Sequence, residues 1–141
     1  MRLVKEFEVG CPRDVALEVV GRDATLEGLF PDARTEIVAR TATRKTAVSH
    51  YRALGREGAA TFHFDFLPDG NVAFGKVCDG NVWKRLEGML TFEERGGGTR
   101  VRIQMEGATK GLVPEFTIKG PMQDQIEQMT RSLRACIEAG A

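Results

Sequence analysis

The chain has 141 residues, with 20 Lys plus Arg balanced by 20 Asp plus Glu and 42% hydrophobic residues, which fits one domain over residues 1–141 and leaves no room for a second. Zero net charge with scattered basic residues argues against a general polyanion-binding field, so nucleic acid is not expected as a partner. Cys11, Cys78 and Cys136 are odd in number and far apart, and no stretch reaches the ~20 apolar residues of a membrane span, so a soluble, cytoplasmic protein with reduced thiols and no integral membrane segment is expected.

Leu3, Phe7 and Val9 share one parity against Glu6 and Glu8, with Lys5 the exception, and this alternation predicts a first strand. Pro12 at a first helical position and the stripe Val15, Ala16, Val19 and Val20 predict a short helix. Asp23 is the expected N-cap of a second, carrying Leu26, Leu29 and Phe30 and closed by Pro31.

From Thr35 to Thr109 the composition turns β-branched and aromatic, broken by turn signals at Gly55-Arg56, Pro68-Asp69-Gly70, Asp79-Gly80 and Gly96-Gly97-Gly98. Six strands are expected near 33–41, 44–54, 57–67, 71–78, 82–94 and 99–108. Their short connections require antiparallel neighbours. The last segment carries Met122, Ile126, Met129, Leu133 and Cys136/Ile137 on one stripe and predicts a long helix from about 113, kinked at Gly120-Pro121. The fold class is therefore α+β, a helix-grip: seven curved antiparallel strands around a long C-terminal helix, with two short helices between strands 1 and 2.

This order, with Val9-Gly10-Cys11-Pro12-Arg13-Asp14-Val15, Pro31, Leu86-Glu87-Gly88-Met89-Leu90-Thr91-Phe92, Gly98-Thr99-Arg100-Val101 and the Leu133-to-Glu138 turn, resembles the START-like (SRPBCC) superfamily. Within it the chain looks closest to the polyketide cyclase/dehydrase and coenzyme-Q-binding group, in which an Asp-Gly turn likewise leads into a Leu-x-Gly-x-x-x-Phe strand. Cys11 departs from the Ser, Ala or Thr more usual before the proline, as does the Gly120-Pro121 break. The matching positions serve strand crossing and packing, so they speak for fold more than for ligand. What the resemblance implies is an elongated apolar cavity between sheet and helix that holds a lipid, quinone or polyketide-like molecule.

Phe62, Phe64 and Phe66 share the inward parity, and His63 and Asp65 the outward one. An aromatic stripe of this kind fills a closed core as readily as it walls a cavity; the resemblance points to the cavity. A two-residue Gly55-Arg56 turn sets Leu54 opposite Glu57 and Tyr51 opposite Ala60, pointing Tyr51 inward, where its hydroxyl meets either a ligand or a structural partner. The same register makes His50 and His63 diagonal neighbours near Asp65, a metal or acid-base cluster or an ordinary solvated face.

Across Asp79-Gly80, Ala73, Gly75, Val77 and Lys84 are expected inside, and Phe74, Lys76, Trp83, Arg85 and Glu87 outside, with Lys76 opposite Trp83 as a cation–π pair. Exposing Phe74 and Trp83 is costly, so a bulge near the turn or a covering partner, including a second copy of the chain in a homodimer, is expected to relieve the conflict. Met105, Met122 and Met129 suit either an adaptable wall or core filling.

The expected function is binding of a small hydrophobic molecule without a cofactor or metal, with Tyr51, Phe62, Phe64, Phe66, Leu90, Met105, Met122, Ile126, Met129 and Leu133 as its wall. The alternative is a cyclase or dehydratase-type enzyme. It needs an acid or base inside the cavity, which a reversed facing of the third and fourth strands would supply through His50, Arg52, His63 and Asp65.

Overall fold

The computed structural model describes residues 1–53 and 55–141. Strand β1 (Arg2–Val9) is followed by α1 (Arg13–Val20) and α2 (Asp23–Glu27). Then come β2 (Arg34–Arg40), β3 (Arg44–Ala53), β4 (Arg56–Phe66), β5 (Val72–Lys76), β6 (Trp83–Arg95), β7 (Gly98–Thr109) and the long α3 (Phe116–Gly140). The seven strands form one antiparallel sheet in the order β1-β7-β6-β5-β4-β3-β2. Hairpins join every sequential pair from β2 to β7. Strand β1 closes the other side on β7, which is the helix-grip arrangement read from the sequence.

The alternation of β1 holds, and its exception has a physical account: Lys5, on the inward parity, reaches the Glu127 carboxylate of α3 at 4.0 Å. The β6–β7 turn falls on Gly96 and Gly97, since Arg95 pairs with Gly98. Their φ angles of 57° and 89° give the left-handed pair that matches the twist of a tight hairpin. Asp23 does not cap α2. Arg22 occupies that position, and the Asp23 carboxylate instead takes hydrogen bonds from Lys45 Nζ at 2.7 Å and from Arg40.

Helix α3 begins three residues later than expected and carries Pro121 inside it. Ile118, Met122, Ile126, Met129, Leu133 and Ile137 form its buried stripe. It approaches β1, β7, α1 and α2 most closely. The helix therefore roofs one side of the sheet and leaves the inner face of β3–β5 partly open toward its own N-terminal half. Under the roof the packing is closed: Phe64, Leu90, Ile103, Met105, Met122, Ile126, Met129 and Leu133 are each at most 1% exposed.

Two sheet registers differ from the expected ones. Ala53 pairs with Arg56 and Tyr51 with Gly58, not Ala60. The slip is two residues, so Tyr51 keeps its facing; the expected Leu54–Glu57 pair lies outside the described residues. His50 now pairs with Ala59 and His63 with Thr46, so the two histidines are four positions apart along the ladder and form no cluster.

The other slip is odd-numbered. Phe74 pairs with Gly88 and Val72 with Leu90, which turns Val72, Phe74 and Lys76 inward and Ala73 and Gly75 outward. A bulge between Trp83 and Arg85 also rotates Trp83 inward and leaves Lys84 exposed. Phe74, only 5% exposed, and Trp83, packed against the core, thus need no covering partner. The cation–π contact between described residues is Lys45 over Phe66 at 5.8 Å, not Lys76 with Trp83.

Candidate functional site

The open end of the grip forms a pocket of about 320 Å³, inside the few-hundred-Å³ range of small-molecule sites. Its apolar floor comes from three elements. Phe62 on β4 stacks on Phe30, which follows α2, with ring centroids 5.6 Å apart and planes inclined by 29°. Ala60, two residues before Phe62, keeps that part of the floor low.

Trp83 supplies the third part. A side chain at Gly107, beside it on β7, would come within 2.8 Å of the indole and 2.9 Å of Met122 Sδ. Gly107 therefore provides the space in which Trp83 and Met122 lie on the sheet.

The rim is polar. Tyr51 and Arg52 stand at the end of β3, Asp32 follows α2, and Gln125 and Gln128 come from α3 beside Pro121. Gln128 Nε2 donates to Asp32 Oδ2 at 3.1 Å. A carboxylate only accepts, so this contact fixes which end of the amide is nitrogen. Gln128 Oε1 is thereby turned away from Asp32, and with Gln125 Oε1 it is buried without a hydrogen-bond partner among the described residues. Buried polar atoms without partners are rare in native structures. Here both belong to residues on the helix wall of the pocket.

Deeper on the β3 side, Ser49 shares a 2.7 Å hydrogen bond with Thr35. From the β5 side comes Lys76, directly across from Phe62. Its ammonium contacts the Val77 carbonyl at 3.2 Å.

Of the ten residues expected to form the wall, Tyr51 and Phe62 border this pocket. Phe66 is half-buried beside Lys45, and the other seven lie in the closed core. Tyr51 is 44% exposed, at the mouth rather than the interior.

Among the pocket residues missing from the expected wall are Phe30, Asp32, Lys76, Trp83, Gln125 and Gln128. Trp83 and Lys76 were hidden by the bulge and the odd register slip. The two glutamines lie beside the apolar stripe of α3, each one residue before a stripe member, Ile126 and Met129.

The histidines and Asp65 are on the outer side of the sheet. His50 Nε2 meets Glu36 at 3.3 Å, and His63 Nδ1 meets Thr46 at 2.9 Å. Asp65 is held by two hydrogen bonds from Arg44, the shorter 2.6 Å. The Arg44 guanidinium keeps the Asp65 carboxyl below the ordinary carboxylate value. None of the three faces the pocket.

No family model and no curated protein matches the sequence. Solved structures do. The Zhui aromatase/cyclase of Streptomyces sp. R1128 is 12% identical, with TM-score 0.77, 99% of this chain covered and 92% of that one. A START superfamily protein of Mycobacterium smegmatis is 14% identical, with TM-score 0.74 and coverage of 98% and 97%. A STAR-related lipid transfer protein of Xanthomonas axonopodis is 17% identical, with TM-score 0.69 and coverage of 96% and 85%. At these identities the likeness establishes the fold, which is START-like.

Proposed function

We propose that the chain binds a small, mostly apolar molecule bearing a polar group, in the pocket between the inner face of β3–β5 and the N-terminal half of α3. The observation that carries this reading is the pairing of an aromatic floor, Phe30, Phe62 and Trp83, with a polar rim of Asp32, Tyr51 and Gln128 in one pocket. An apolar ligand body gains roughly 25 cal/mol for each Å² of apolar surface it buries there. A fold shared with a lipid transfer protein and an aromatase/cyclase is consistent with a hydrophobic cargo.

Binding is favoured over turnover because three of the four groups that would have equipped an acid-base enzyme, His50, His63 and Asp65, face away from the pocket, and the fourth, Arg52, is a guanidinium at the rim paired with Glu57. Asp32, Tyr51 and Lys76 are its other titratable side chains, and no hydrogen bond links any two of them among the described residues. Native mass spectrometry of the protein purified gently from its own host tests the reading. A retained apolar compound, lost in a Phe62→Asp variant that still folds, is expected. Bare protein from every preparation, together with no uptake of added apolar compounds, would contradict it.

A further inference from the structure

Resting on the binding reading above, the pocket's polar groups also specify the ligand's polar end. Lys76 ends β5 on the inward parity of Val72 and Phe74, across from Phe62, and borders the pocket. Its ammonium has three donors. One goes to the Val77 carbonyl at 3.2 Å, and among the described residues no carboxylate lies within ion-pairing distance. The other cation of the pocket, Arg52, stands at the solvent-exposed rim and pairs with Glu57 at 3.1 Å. Lys76 is thus a cation without an anionic partner at the edge of an apolar pocket.

The opposite wall has the reverse character. Asp32 is a carboxylate, and it takes the Gln128 amide nitrogen, so the donor beside it on that wall is already used. An anion placed against that wall would meet the Asp32 carboxylate, whereas at the β5 wall it meets an uncompensated donor. The two walls therefore orient a ligand one way only.

We infer that the pocket takes an apolar molecule carrying a carboxylate, with the carboxylate on Lys76 and the hydrocarbon body across Phe62, Phe30 and Trp83. Affinity for the head group comes from a charge-assisted hydrogen bond at a partly desolvated site, and the acceptor wall rejects the inverted pose.

Trp83 is the single tryptophan of the chain, so its emission reports occupancy without labelling. Decahydronaphthalene-2-carboxylate and its methyl ester, which do not absorb where the indole does, are titrated against the wild-type protein, Lys76→Met and Lys76→Arg. Expected is binding of the carboxylate about tenfold more tightly than the ester, weakening as salt is raised. Lys76→Met abolishes that ratio while leaving the ester within about twofold, and Lys76→Arg retains it.

Equal affinities of acid and ester for the wild-type protein would overturn the inference while leaving the binding reading intact. So would a Lys76→Met variant that loses both ligands alike. Absence of any Trp83 response to either compound would overturn both. Should Lys76→Met fail to fold, the wild-type acid-to-ester ratio and its salt dependence decide alone.

Discussion

The ring of Phe74 lies over its cross-strand partner Gly88: a side-chain carbon at Gly88 would stand 2.3 Å from Phe74 Cζ and 2.2 Å from the Gln104 carbonyl oxygen. This contact supports the β5–β6 register, because the Phe74 ring fills the space that a side chain at Gly88 would take. Gly88→Ala is expected to cost about 1–3 kcal/mol or more, as overpacking against both a ring and backbone. Urea denaturation checks it, and a loss below about 0.5 kcal/mol would show that the register is held elsewhere.

Tyr51 has a similar relation to Gly58, whose missing side chain would lie 2.6 Å from the Tyr51 ring. Its ring is partly exposed, and its hydroxyl has no hydrogen-bond partner among the described residues. Tyr51→Phe is therefore expected to leave stability within about 0.5 kcal/mol of wild type. A change in ligand affinity with unchanged stability would mark the hydroxyl as a ligand contact. A large loss of stability would assign it a structural bond.

Met129 separates a cavity wall from a closed core. It is fully buried on the sheet-facing stripe of α3, away from the pocket. Met129→Ala should cost about 2–5 kcal/mol, and Met129→Leu under about 1.5 kcal/mol. Neither should alter ligand affinity while the protein remains folded. A thermal melt paired with a Trp83 titration measures both. Altered affinity in the folded Met129→Leu protein would extend the binding space under the helix.

Asp23 joins the start of α2 to β2 and β3 through Lys45 and Arg40. Hydrogen bonds from Lys45 and then Arg40 hold its carboxyl below the ordinary value of 3.8. A carboxyl whose folded value is depressed contributes stability that is fully present above its unfolded value and is lost as pH falls through the folded one. Asp23→Asn should therefore lower stability at neutral pH and flatten its decline below about pH 4. Denaturation midpoints across that range test this; an acid limb as steep as that of wild type would contradict it.

The architecture was legible because each element announced itself by period: the parity of Phe62, Phe64 and Phe66, the 3.6-residue stripe of α3, and glycine at Gly96 and Gly97 where left-handed backbone was needed. The facing of β5 was not. A turn at Asp79-Gly80 implied one register, while the Phe74–Gly88 contact and the bulge before Arg85 impose another. Such a conflict is settled by packing across strands, which turn residues do not encode.

The site suffered for the same reason. Lys76 and Trp83 lie on those strands, and a one-position change in parity moved both from the surface into the pocket. The aliphatic wall residues were identified as buried, but burial under a helix does not distinguish a packed interior from a space left open beside it. That distinction came from where α3 lies, over β1 and β7.

The location of binding is tested most directly by two-dimensional NMR of the labelled protein during titration with decahydronaphthalene-2-carboxylate. Shifts are expected to concentrate at Phe30, Tyr51, Phe62, Lys76, Trp83 and Gln125, with Leu90, Ile103 and Leu133 little changed. Perturbations centred on the outer face around His63 and Asp65, or none at all at saturating ligand, would contradict a binding pocket at the open end of the grip.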